Sequence, residues 1–309
     1  MATIYAGIDV GKAKLNMSLL ECRSVWNNTQ AGVKRLLTRV KGMPELPQVV
    51  CEATGGIERL LVDQCFAQNI PVSVVPPKRV RDFAKSEGLY AKADHIDDGV
   101  IERFSLSTHP HPDQPVPETT RRLQELHGRR RQVMELMAIQ QQHLEGLTLP
   151  KLRQGCQKTL KSLARELATV DRLIAEILHD DAKLQAKVAC MTVHKGVGTQ
   201  TALALLTAMP ELGTLNRKEV AALAGLAPFC KDSGQKQGKR FIQGGRKVVR
   251  TILYMACLSA ITYNPVIKEF YDRLVARGKV KMVALTAAMR RFLTILNAAM
   301  KNHLATLET

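Results

Sequence analysis

Residues 3–21, TIYAGIDVGKAKLNMSLLE, carry the reading on which the fold class turns. TIYAGIDV is a β-branched run whose strand end carries an aspartate, Asp9, and after Gly11 the segment KLNMSLLE alternates well enough to return as the second strand of a hairpin. Downstream, TQAGVKRLLTRVKGM (29–43) has helical spacing and stops before the prolines of MPELP. PQVVCEATG (47–55) reads as a short buried strand ending at Glu52, GGIERLLVDQCFAQN (55–69) as a helix, and PVSVVPP (71–77) as a further strand. The predicted order, β-β-(β)-α-β-α-β-α, is that of a mixed sheet covered by helices, an α/β domain.

The proline-rich stretch LSTHPHPDQPVPE (106–118) marks a boundary. Beyond it the apolar positions Leu123, Leu126, Val133, Met137, Leu144 and Leu147, then Leu160, Leu163, Leu167, Val170, Ile174 and Ile177, recur at steps of 3, 4 and 7. That spacing predicts a helical hairpin or coiled-coil arm, broken at Pro150. Its polar faces carry RR, GRRR and KLRQ, which suits a dimerisation arm, a nucleic-acid-contacting arm, both, or a solvated helix face. A third, mainly α-helical unit starts near Met191. The predicted domains are therefore 1–110, 111–188 and 189–309.

With 309 residues, 45% hydrophobic and 24% charged, the chain has the composition of a folded soluble protein of two or more domains. No stretch approaches the roughly 18 uninterrupted apolar residues of a membrane span, and the N-terminus lacks the basic-then-apolar layout of a signal peptide. These features predict a cytoplasmic protein. Forty-five Lys+Arg against 28 Asp+Glu leave a net charge of +17, which points to a polyanionic partner, nucleic acid first. The seven cysteines are scattered with no C-x-x-C pair, so they read as reduced residues rather than a disulfide framework or zinc ribbon. His109 and His111, flanked by prolines and without a partner cluster, read as plain linker.

Three groups of residues carry candidate chemistry. Asp9 and Glu52 sit at strand ends, where α/β sheets commonly place their sites. Asp94 and Asp97, in KADHIDD (92–98), lie three apart and share a face if helical. Such a cluster is neutralised by a hard divalent cation, magnesium or manganese, or else is an acid-rich first helical turn that needs no metal. The third group is the basic, glycine-rich run from Lys231 to Arg250, with seven Lys/Arg (Lys231, Lys236, Lys239, Arg240, Arg246, Lys247, Arg250) and one acid, Asp232. Ser233 within it is either a nucleophile among cations or part of a turn. Upstream, Gly196 and Gly198 resemble the turn of a helix-hairpin-helix element, in which backbone amides approach a phosphate.

Taken together, GIDVGK (7–12), CEATGG (51–56), KADHIDD, GVGTQTALALLTAMPELG (196–213), AALAGLAPF (221–229), DSGQKQGKRFIQGGRKVVRTILYMA (232–256) and YNPVIKEFYDRLVARGK (263–279) form an ordered series. The series resembles the DEDD-type insertion-sequence transposases of the "IS one-ten" family, also called bridge-RNA-guided recombinases, to which the Piv DNA invertases are related. The likeness spans nearly the whole chain. It implies a RuvC-like (RNase H fold) N-terminal domain, a coiled-coil linker and a C-terminal transposase domain.

Residue by residue, the resemblance implies that Asp9, Glu52, Asp94 and Asp97 hold Mg2+ (or Mn2+) and that Ser233 is the nucleophile. Acids and serine from different subunits of a dimer or tetramer would then combine to form a phosphoserine intermediate on donor and target double-stranded DNA. A non-coding bridge RNA would choose both DNAs by base pairing, in a bacterial, nucleoid-associated setting. The sequence departs from the family's pattern at Ala93, where threonine is usual, and at Asp98, where alanine is usual; that leaves Asp97 or Asp98 as the fourth acid, and helical spacing from Asp94 favours Asp97. The alternative enzyme is a RuvC-like structure-selective endonuclease with water as nucleophile, and the alternative outside catalysis is a nucleic-acid-binding scaffold.

Overall fold

The computed structural model describes residues 3–89, 97–229, 238 and 240–307, with backbone alone at 97, 98 and 307. The chain divides into two compact units, Met1–Val116 and Pro117–Thr309.

The first unit contains β1 (Tyr5–Val10), β2 (Lys14–Leu19), β3 (Cys22–Asn27), α1 (Gln30–Lys41), β4 (Gln48–Glu52), α2 (Arg59–Ala67), β5 (Val72–Val75), α3 (Pro77–Ser86) and α4 (Asp97–Thr108). Its sheet has the order β3-β2-β1-β4-β5, antiparallel from β3 to β1 and parallel from β1 to β5, which is the mixed sheet that the sequence predicts. Leu20 and Glu21, at φ 51° and 62°, supply the two left-handed residues that a tight β2–β3 hairpin turn requires.

Side chains alternate across the strands, so each face of the sheet takes its own helices. Ala6, Ile8 and Val10 of β1 and Leu15 and Met17 of β2 bury against Leu36 and Leu37 of α1 and Leu61 and Cys65 of α2. On the other face Tyr5, Val50 and Val75 meet Val80 of α3 and Val100, Ile101 and Phe104 of α4. Thr29 caps α1, its hydroxyl accepting from the Gly32 amide at 3.2 Å.

The proline-rich stretch is no free linker. Gln48 Nε2 donates to the Pro110 carbonyl at 2.7 Å, the Ser73 hydroxyl to the His111 carbonyl at 2.7 Å, and the Val74 amide to Asp113 Oδ2 at 2.8 Å. Burial pushes the Asp113 carboxyl up, and the Val74 amide opposes that shift. These bonds keep residues 111–116 with the sheet, six residues beyond the boundary that the sequence predicts.

The second unit opens with a helical hairpin, α5 (Glu118–Gly146) and α6 (Pro150–Asp180). Of the apolar positions predicted for the arm, Leu123, Val133, Val170 and Ile174 are buried and the other eight are half-buried; Cys156 is buried as well. Two arginines of GRRR bridge the hairpin: Arg129 pairs with Glu166 at 2.5 Å and Arg130 with Asp171 at 2.7 Å.

The remainder is α7 (Ala182–Thr192), α8 (Thr199–Ala208), α9 (Arg217–Leu223), a short ribbon of β6 (Pro228–Phe229) and β7 (Phe241–Ile242), α10 (Lys247–Tyr263), α11 (Pro265–Ala276) and α12 (Lys281–Leu307). Among the described residues, Lys281–Thr306 is the one helix long and apolar enough to cross a membrane. Its Ala288, Phe292, Leu293 and Leu296 are fully buried in the core cluster of this unit. The described cysteines are free thiols, and burial pushes Cys65 and Cys257 up to about 12.

Candidate active site

Asp9 and Glu52 come to one level of the sheet. β1 and β4 are parallel with Ile8 in register with Cys51, and each acid follows its member of that pair by one residue. Alternation puts both on the face of Tyr5 and Val50, the face that α4 covers. Asn16, in register with Asp9 on β2, donates from Nδ2 to Asp9 Oδ2 at 3.4 Å.

The turn after Glu52 is locked by Glu58, whose Oε2 accepts from the Thr54 amide at 3.2 Å, the Thr54 hydroxyl at 2.7 Å and the Gly56 amide at 2.8 Å. Partial burial pushes the Glu58 carboxyl up, but these bonds outweigh it and hold the group below its ordinary value. Gly55 and Gly56, at φ 76° and 113°, make this tight return possible.

α4 runs antiparallel to β1. Just past its end, His109 Nδ1 lies 3.3 Å from the hydroxyl of Tyr5, the first residue of β1. Halfway back, Glu102 accepts from the hydroxyl of Ser18, which is in register with Gly7. From Glu102 to Asp97 a helix advances about 7.5 Å, and from Gly7 to Asp9 a strand advances about 6.6 Å. The helix therefore starts, at Asp97, near the level of the two strand acids. Asp94 lies outside the described residues, as do the side chains of Asp97 and Asp98.

A pair of half-buried carboxylates offers hard oxygen donors of the kind that suit magnesium or manganese. Among the described residues no group of three metal-ligating side chains gathers. The pair fits a divalent cation as two members of a larger ligand set.

The second centre lies in the second unit. Ser233, Lys231, Lys236 and Lys239 are outside the described residues. The segment is flanked by β6 and β7, where Pro228 pairs with Ile242 and Phe229 with Phe241. Arg240 and Lys247 are exposed. Arg246 and Arg250 instead turn inward: Arg246 forms a two-point ion pair with Glu211, and Arg250 donates to the carbonyl of Gly244. Gly196 has a packing reason for being glycine, since at φ 105° a Cβ would stand 2.8 Å from that of Ala260. Gly198 caps α8 with open space around it, as an amide that approaches a phosphate requires.

Residues 6–150 match the family model of the DEDD-type transposases, and residues 188–272 match that of the IS116/IS110/IS902 transposases. The chain belongs to the IS110 family of transposases. The pilin gene-inverting proteins of Moraxella bovis and Moraxella lacunata are each 24% identical to it over 315 residues, which cover 98% of this chain and 97% of each relative. An uncharacterized protein of insertion element IS110 from Streptomyces coelicolor is 30% identical over 115 residues, 36% of this chain and 28% of that protein.

Both matched regions carry candidate chemistry. The DEDD-type match holds the acid edge, and the second holds Gly196, Gly198 and the β6–β7 ribbon of this IS110-family chain. The sequence reading missed Asn16, Glu102 and Glu211. Asn16 is legible only through the strand register. Glu102 left a weak signal, an acid set among Val100, Ile101 and Phe104 where α4 meets the sheet, with Arg103 charged beside it.

Proposed function

We propose that this IS110-family transposase is a DNA recombinase that inserts and excises its own mobile element, with an RNA choosing the sites and a serine forming the covalent link. The observation that supports this reading is that Asp9 and Glu52 stand at one level on the neighbouring strands β1 and β4, on the face that α4 covers, in a chain whose two halves match this family.

Asp9, Glu52 and Asp97, with Asp94, would hold a divalent cation, magnesium being the first choice. When bound, that ion polarises a phosphodiester and neutralises developing charge. The chain's own residues do the rest. Asn16 orients the Asp9 carboxylate, and the Glu58-locked turn fixes the backbone just beyond Glu52. Exposed Arg240 and Lys247 bind phosphates beside the serine segment. Ser233 Oγ attacks phosphorus; a new P–O bond forms as the bond to the leaving sugar oxygen breaks, the serine proton passes to water, and the leaving oxygen takes a proton from solvent. The resulting phosphoserine conserves the energy of the broken linkage for rejoining to a second strand. Acids and serine come from different subunits of a homo-oligomer.

Sequence choice through RNA pairing agrees with a net charge of +17 and an aromatic content of 4%, which give many backbone contacts and few base-stacking platforms. The direct test is Ser233→Ala. It should abolish covalent protein–DNA adducts on a denaturing gel while RNA binding persists, and adducts that survive the substitution would overturn the assignment.

A further inference from the structure

Glu102 is a carboxylate at a position where the packing calls for an apolar side chain. It lies on α4 between Ile101 and Phe104, both buried against the sheet, and is 5% exposed. Its Oε2 accepts from the hydroxyl of Ser18, itself 2% exposed, and its Oε1 accepts from the amide of Glu21 at 3.3 Å. The chemistry proposed above makes no use of this group.

Taking a carboxylate out of water is costly, and an apolar residue of similar size there would often be neutral or stabilising. A buried ionic group kept in such a place is best attested as a device that fixes register. Elsewhere the register is tied past the far end of α4, where His109 Nδ1 meets the Tyr5 hydroxyl at 3.3 Å, while the span towards Asp97 leans on apolar packing. Val100, Ile101 and Phe104 meet Tyr5, Val50 and Val75 through apolar contacts, which are non-directional. Hydrogen bonds from Ser18 and Glu21 are directional, and they tie α4 to β2 and its turn, beside the strand that carries Asp9.

We infer that Glu102, held by the Ser18 hydroxyl and the Glu21 amide, is a positioning residue that sets the axial register of α4 and so the level of Asp97 against Asp9 and Glu52. The inference rests on the reading of these acids as metal ligands. It has a particular consequence for ion choice. Mg2+ demands near-ideal octahedral geometry with bonds of about 2.1 Å, whereas Ca2+ accepts a flexible shell, so a slipped helix penalises Mg2+ more.

The test uses the full chain as wild type, Glu102→Leu, Glu102→Gln, Ser18→Ala and Asp9→Asn, each checked by thermal melting and titrated calorimetrically with MgCl2 and CaCl2. Glu102→Leu should melt at or above the wild-type temperature, bind Mg2+ about tenfold more weakly and bind Ca2+ with a smaller loss. Ser18→Ala should move the same way by less, and Glu102→Gln, whose Oε1 can accept from the Glu21 amide while its Nε2 donates to the Ser18 hydroxyl oxygen, should stay near wild type. Folded Glu102→Leu and Ser18→Ala proteins with wild-type Mg2+ affinity would overturn the inference. If Glu102→Leu fails to fold, the Ser18→Ala titration decides alone. Asp9→Asn separates the layers: Mg2+ affinity unchanged there defeats the metal reading itself, whereas weakened binding there beside unchanged binding in Ser18→Ala defeats only the role of Glu102.

Discussion

Arg246 grips Glu211 with both arms of its guanidinium, Nη1 at 2.7 Å and Nη2 at 2.6 Å, and Nη1 also donates to the Ala208 carbonyl at 3.0 Å. The same residue caps α10, and its amide donates to the Leu223 carbonyl at 2.8 Å. Gly245, at φ 65°, lies so close to Ala224 and Gly225 that a side chain there would strike backbone. The chain leaving the serine segment is thus knotted to the α8–α9 region. Partial burial pushes the Glu211 carboxyl up, but the bonds and charge of Arg246 outweigh it and hold the group below its ordinary value.

Arg246→Ala should therefore lower the stability of the protein by about 1–3 kcal/mol, as for loss of hydrogen bonds to a charged group. Arg246→Lys should recover only part of that loss, because an ammonium cannot reproduce the two-point fork. Denaturant unfolding of the three proteins measures both effects. An unchanged midpoint for Arg246→Ala would show that the knot is dispensable.

Exposed cations of the same region should behave differently. Lys247→Ala and Arg240→Ala should leave unfolding unchanged but weaken DNA binding, each lowering the slope of log affinity against log salt by about 0.9 if one phosphate contact is lost. A fluorescence anisotropy titration at several salt concentrations reads the slope. Identical slopes for wild type and both variants would remove these residues from the phosphate-binding surface.

The two glycines before α8 should separate by the same logic. Gly196→Ala places a Cβ 2.8 Å from that of Ala260 and 3.0 Å from the Ala256 carbonyl, at a φ of 105° that alanine rarely adopts. It should lower the melting temperature by several degrees, the equivalent of about 1–3 kcal/mol. Gly198→Ala meets open space at φ −88° and should melt like wild type, so any loss of DNA affinity there reports phosphate approach rather than misfolding.

His127 supplies a pH dependence. Its Nε2 is buried without a hydrogen-bond partner, and burial first, then the charge of Arg130, pushes it down to about 4, with Asp171 opposing. An unfolded histidine titrates near 6.5, so between about 6.5 and 4 the unfolded chain binds more protons and stability falls as pH falls. His127→Leu should flatten this part of the stability profile. An equally steep loss in that variant would place the acid sensitivity elsewhere.

Much of the fold was legible in the sequence because it depends on local periodicity. The β-branched run before Asp9, the strand that ends at Glu52 and the apolar steps of the arm each report a buried face, and the burial of Leu123, Val133, Val170 and Ile174 follows those steps. What was not legible depends on partners distant in sequence. Arg246 reads as one more cation in a basic run until Glu211, 35 residues earlier, is brought beside it. Asn16 becomes part of the acid edge only through the β1–β2 register, and Gly196 gains its packing role only from α10. The proline-rich stretch looks like linker because no sequence pattern announces that Gln48 and Ser73 will bind its carbonyls.

The measurement that tests the account most directly is the chemistry of the cut ends. Wild-type protein, Asp9→Ala, Glu52→Ala and Ser233→Ala are incubated with the element's flanking RNA and end-labelled donor and target DNA, with and without Mg2+, and resolved on a denaturing gel. Metal-dependent cleavage by Ser233 predicts a slow-migrating protein–DNA band in wild type with Mg2+ alone, and neither adduct nor cut strand from the two acid variants. Free cut ends produced by Ser233→Ala at the wild-type rate would contradict it, because water would then be the nucleophile.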